Sequence, residues 1–213
     1  MKKSRIALIS ASLLLVASSA FAYQKGQTLL GLAVGSGSAV WVGPAAKGYI
    51  TTQAALPTLR AGADLWYFMS DDMAFTVSGG IDHFGETDKP GTVAPLGAVD
   101  QKSTISGVHG RVGMDHVFKL GDKANVFTGG GLMYGTTKFK YEAATTDESP
   151  SLTTYGVDGR IGVMMEVASN VSFGGRMGHN FGMSTADDNG AKVSATAGSW
   201  YGEAQLIFAF GGK

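Results

Sequence analysis

The chain has no cysteine, so no disulfide can brace its fold. Nowhere after residue 22 does it carry 18 consecutive apolar residues, which excludes a membrane-spanning helix in that part. Apolar residues recurring every three to four positions are missing too, and with them any amphipathic helix. Proline is scarce: the five residues Pro44, Pro57, Pro90, Pro95 and Pro150 all fall outside the regularly alternating stretches. Charge is sparse and balanced, 17 basic against 17 acidic residues, which excludes the basic surface of a nucleic-acid binder.

What is abundant is glycine, 32 in 213 residues, and much of it lies inside alternating runs rather than between them. The first 22 residues stand apart. Met1 to Arg5 is basic, Ile6 to Val16 is apolar, and Ala20-Phe21-Ala22 is a small-residue cleavage site. This is a secretory signal peptide (1–22), leaving residues 23–213 as one mature domain that begins at Tyr23. Taking Lys2, Lys3 and Arg5 from the 17 basic residues leaves 14 against 17 acids, a net charge of about −3. Export without a spanning helix leaves the periplasm, the medium or the outer membrane.

The stretch from Thr58 to Phe84 decides among these. Leu59, Ala61, Ala63, Leu65, Tyr67 and Met69 alternate with Arg60, Gly62 and Asp64. After the polar turn Ser70-Asp71-Asp72, Met73, Phe75, Val77, Gly79 and Ile81 alternate with Ala74, Thr76, Ser78, Gly80 and Asp82. A period of two is a β-strand, and about ten residues is the length that crosses a bilayer at a tilt. A greasy face opposite a small and ionic one means lipid outside and a polar lumen inside. The competing fold, a soluble periplasmic calyx, requires an apolar interior instead.

The same pattern predicts further strands at Thr28–Gly37, Ser103–Phe118, Asn125–Tyr141, Thr154–Val167, Val171–Met183 and Gly198–Phe210. The triple glycine Gly129 to Gly131 leaves the facing of the Asn125 strand open. Tight turns sit at Ser70–Asp72, Leu120–Lys123 and Ser169–Asn170. Long connections run over Ser38–Pro57, Glu86–Lys102, Ala143–Ser151 and Thr185–Ala195. The predicted fold is therefore all-β: a closed antiparallel transmembrane β-barrel of about eight strands, with short periplasmic turns and long extracellular loops.

Arg60-x-Gly62-x-Asp64 recurs as Arg111-x-Gly113-x-Asp115, more loosely as Arg176-x-Gly178-x-Asn180, and begins again at Arg160-x-Gly162. Every mature arginine lies in this pattern, whereas every lysine lies in a loop, in a turn or near a strand end. Guanidinium stays charged and forks onto carboxylates, so it suits a buried ionic lattice better than ammonium does. The expected lumen network is Arg60, Asp64, Asp82, Arg111, Asp115, Asp158, Arg160, Glu166, Arg176 and Glu203, with Arg176 and Glu203 a preferred pair. An arginine-lined anion path is the alternative, and the acids would neutralise it.

Leader, alternating strands, polar lumen and an aromatic-rich final strand (Trp200, Tyr201, Phe208, Phe210) resemble the small outer-membrane β-barrel proteins. These include the OmpA-like transmembrane domain, the opacity and Ail-type adhesins and the OmpW-like proteins. The resemblance implies the cell outer membrane as location, with outer-membrane lipid including lipopolysaccharide and the barrel-insertion machinery as partners. It also implies a structural or adhesin-like role, toward a surface receptor. The alternative is a narrow conduit for small hydrophobic solutes, for which Trp41, Val42, Tyr49 and Leu56 of the first long connection form an apolar surface interaction loop.

Enzymatic chemistry has little to stand on, and the expectation is a non-enzyme. His109 alone among the four histidines shares the inward face, with Asp82 at similar height, but no nucleophile motif accompanies it. Gly129-Gly130-Gly131 lacks the lysine and helix of a phosphate loop. Asp187-Asp188-Asn189-Gly190 lacks the spacing of a calcium loop. No metal or cofactor is expected.

Overall fold

A computed structural model describes residues 23–42, 56–88, 101–143, 146–148, 151–188 and 191–211; within these, some side chains at strand ends are not described. The strands are β1 (Thr28–Val42), β2 (Leu56–Phe68), β3 (Met73–Asp88), β4 (Gln101–Lys119), β5 (Ala124–Ala143), β6 (Thr146–Glu148), β7 (Ser151–Ala168), β8 (Val171–Asp188) and β9 (Ala191–Phe210). Strands consecutive in sequence pair antiparallel except that β5 pairs with β7 past the short β6, β1 pairs with β9, and the sheet closes on itself. The result is a barrel of eight strands, with the three-residue β6 adding only a flap on the end of β5. Closure leaves the eight barrel strands, among the described residues, without an open edge across the barrel, the condition for putting a β-sheet into lipid.

Period-two patterning puts every second side chain outside. Leu32, Leu65, Phe75, Val112, Leu132, Ile161, Phe173 and Leu206 are all 41–68% exposed, a density of apolar surface that no water-soluble calyx presents. The belt faces lipid. The strand facing left open by the triple glycine is settled by Leu132 and Tyr134, which point out, and by buried Phe127, which points in.

Tight turns fall close to the positions the sequence marks, but the strands run further than expected at the other end. β8 reaches Asp188 and β9 starts at Ala191, so most of the Thr185–Ala195 loop is hairpin. The connections expected at Glu86–Lys102 and Ala143–Ser151 are shortened in the same way, the second also holding β6. Likewise β1 continues to Val42 and β2 begins at Leu56, so Trp41, Val42 and Leu56 belong to strand ends rather than to a loop; Tyr49 lies outside the described residues. Pro57 is in β2, not in a connection. Its partner is Ser38 on β1, whereas the ladder to β3 starts only at Leu59, so proline sits where the strand has one neighbour. Strands of 13 to 20 residues exceed the roughly 9–11 needed to cross a bilayer, and the excess gathers at the end opposite the tight turns.

Candidate functional site

Inward parity and strand register assemble one continuous ionic lattice across the middle of the lumen. Asp64 on β2 and Asp115 on β4, both with wholly buried side chains, are its hubs. Asp64 accepts hydrogen bonds from Arg176 Nη1 at 2.6 Å, Gln205 Nε2 at 2.8 Å and Arg160 Nη1 at 3.2 Å. Asp115 is bracketed by Arg160, whose Nε lies 3.1 Å away and whose Nη2 donates to the second oxygen. Arg111 Nη2 adds a bond at 3.4 Å, and the indole Nε1 of Trp66 another at 2.8 Å. Three donors on one carboxylate offset the cost of removing it from water, which a single partner would not do.

The remaining members hang from these hubs. Arg111 also pairs with Asp158, which accepts a bond from the Tyr201 hydroxyl at 2.8 Å. Arg176 forks onto Glu203, with Nε and Nη2 each 2.5 Å from Oε2, because the two face each other in the β8–β9 register. Arg60 Nε stands 2.9 Å from Asp82 and 3.4 Å from Glu203, while its guanidinium lies 4.5 Å above the Tyr201 ring.

Space for the lattice comes from β1 and β5, which stand opposite each other in the ring of eight. Around the hubs they supply small inward residues, Gly31, Ala33 and Gly35 on one and Gly129 and Gly131 on the other, with Met133 further along β5 level with Arg111. A Cβ on Gly129 would collide with the Asp115 carboxylate, so the glycine-rich stretch of β5 is a seat for the hub. Gly178 serves Tyr201 in the same way, its missing Cβ leaving room for the ring. The cavity left beside Arg60, His109, Arg160 and Tyr201 measures about 30 Å³, room for one or two waters.

His109 is held at both nitrogens. Arg60 Nη2, 2.9 Å from Nε2, can only donate, so Nε2 accepts. The proton is therefore on Nδ1 and is donated to Asp82 at 2.8 Å. The nitrogen that would serve a nucleophile is already occupied by an arginine.

One expected member stands apart. Glu166 shares the inward parity of Arg160, but the lattice does not include it. It lies six residues along β7 toward the tight turns, where its Oε2 has no hydrogen-bond partner among the described residues. Parity sets the face and register the height, and at that height the lumen is mostly apolar, with Asn125 and Ser172 as buried polar exceptions. Tyr23, Leu29, Trp66, Phe68, Ala74, Val117, Phe127, Met164 and Ile207 form an apolar floor. Trp66 and Phe127 meet edge to face with centroids 6.3 Å apart. The expected polar lumen thus fills the middle, whereas the turn end is largely apolar with a few polar side chains among the rings. Sequence reasoning also passed over Trp66 and Gln205 as donors to the lattice and Thr76 as an acceptor from Arg111. Their inward parity was the available signal.

Comparison with solved structures agrees with this fold. The outer-membrane protein OprG of Pseudomonas aeruginosa superposes over 91% of this chain and all of its own, with a TM-score of 0.60 at 12% identity. The fold is that of a small outer-membrane β-barrel. Neisserial surface protein A matches over 87% of this chain and 97% of its own, with a TM-score of 0.50 at 14% identity. Ail of Yersinia pestis is more distant, at 0.47 and 13% over 87% of this chain and all of its own. No family model and no curated protein sequence matches the chain. An apolar exterior on a closed antiparallel barrel of this kind places the protein in the outer membrane.

Proposed function

We propose that the protein is a closed, non-conducting anchor of the outer membrane that presents its extended strand ends and connections at the cell surface for contact with a surface receptor. One observation carries the reading: four arginines and five carboxylates cross the whole lumen above an apolar floor. A barrel of eight strands has an interior that side chains can fill, and these do. What remains for function is the end where strands outrun the bilayer. The short turns then face the periplasm and lipopolysaccharide surrounds the opposite rim. The chain does no catalysis in this account, since the Asp82–His109 pair ends on Arg60.

Epitope tags test the orientation and the exposure together. Tags inserted at Pro95, Asp147 and Asn189 should bind antibody on intact cells, whereas tags at Asp71, Asp122 and Asn170 should need permeabilised cells. The reverse pattern overturns the surface reading.

A further inference from the structure

Residues 23–27 precede the first strand and fold back under the barrel. Gln27 N donates to Gln24 O at 2.9 Å, a tight turn whose third residue, Gly26, has φ of 86°. Gly26 N donates to Phe68 O at 2.8 Å and Phe68 N to Gln27 O at 2.9 Å, which stitches the segment to the end of β2. Lys25 N reaches Asp71 in the first tight turn at 3.2 Å. So anchored, the chain inserts the Tyr23 ring into the floor, where it is 3% exposed. The ring stacks on Phe68 of β2 with centroids 4.5 Å apart and planes 19° from parallel. Its hydroxyl reaches the Met164 sulfur on β7 at 3.7 Å. Strands β2 and β7 stand opposite each other in the ring, so one side chain spans the diameter.

We propose that Tyr23 is a latch that seals the turn end of the lumen. Its ring is buried away from lipid, sits among the floor residues below the lattice, and bridges two strands that do not pair with each other. On the expected cleavage after Ala22 it is also the first residue of the mature chain. The latch thus belongs to a segment outside the sheet, able to swing while the eight strands stay paired. Its release would open the floor to water from the periplasm without breaking any strand pairing.

The absence of native cysteine makes single-site labelling clean. Two probes are needed in protein reconstituted into liposomes with a water-soluble maleimide. Ser172→Cys lies in the floor region, 7% exposed, and Ser184→Cys lies toward the opposite end, 1% exposed. Tyr23→Ala should raise the labelling rate at position 172 at least tenfold and leave that at 184 unchanged. Tyr23→Phe, which keeps the stack, should label like the parent. An unchanged rate at 172 in Tyr23→Ala protein that still shows heat-modifiable mobility overturns the latch. Equal increases at both positions overturn it too, since they report a loosened barrel. Should Tyr23→Ala fail to fold, Gly26→Ala decides. Its Cβ meets nothing within 4 Å, yet the positive φ strains the turn. A rise of several-fold confined to position 172 supports the latch, and no rise refutes it.

Discussion

The middle and the floor of the lumen are built from the same inward positions of the same strands, yet they are held by opposite physics. In the middle, Asp64 and Asp115 gather guanidinium groups from β4, β7 and β8, and each bond has its worth only while the others are made. In the floor, Trp66, Phe68, Phe127, Met164 and Ile207 need only fill volume. The first region demands particular partners, the second demands a size. Trp66 joins them, its ring in the floor and its Nε1–H on Asp115.

Breaking the middle should cost more than breaking the floor, and the repair should differ. Asp115→Ala strips a carboxylate from Arg111, Arg160 and Trp66, and should cost about 3–5 kcal/mol. Asp115→Leu should do no better, because the stranded guanidinium groups remain. Urea unfolding of bilayer-reconstituted protein measures both. Phe127→Ala should cost about 3 kcal/mol through the cavity it leaves, but here Phe127→Leu should recover more than half of the loss. Equal rescue by leucine at the two sites would erase the distinction.

Alkali sharpens the contrast from the floor side. Burial pushes the Tyr23 phenol up to about 12, with the Glu166 carboxylate adding to the effect. The fold therefore favours the neutral ring. Its contribution is complete below pH 10 and is lost as pH rises from 10 to about 12, on the order of 2 kcal/mol. Unfolding measured across that window should fall for the parent and fall less for Tyr23→Phe. Identical slopes would remove Tyr23 from the account.

The faces of the barrel were legible in the sequence because lipid on one side enforces strict alternation. Leu65 against Asp64 and Ile161 against Arg160 leave no choice of register. Tight turns were legible for a similar reason: Ser70-Asp71-Asp72 and Ser169-Asn170 interrupt the pattern abruptly, and Asn170 takes a positive φ of 64°. Strand ends on the other side were not. Beyond the bilayer nothing requires an apolar outer face, so Thr185, Ala186 and Ser194 pair as strand while reading as loop. Height was the other hidden quantity. Glu166 carries the right charge and parity but faces Ser172 instead of an arginine, because only cross-strand register sets who sits level with whom. The aromatic floor was missed at Trp66 and Phe68, inward by parity yet apolar, since the pattern promised a lumen of one kind throughout.

Planar-bilayer recording tests the closed lumen most directly. The parent protein should show little or no steady conductance, because the lattice and the floor lie in series along the only axial path. Glu203→Ala should conduct more, since Arg176 and Arg60 lose the carboxylate they share and water can follow the unpaired charge. A large, stable conductance from the parent protein would contradict the closed lumen and make the barrel a channel.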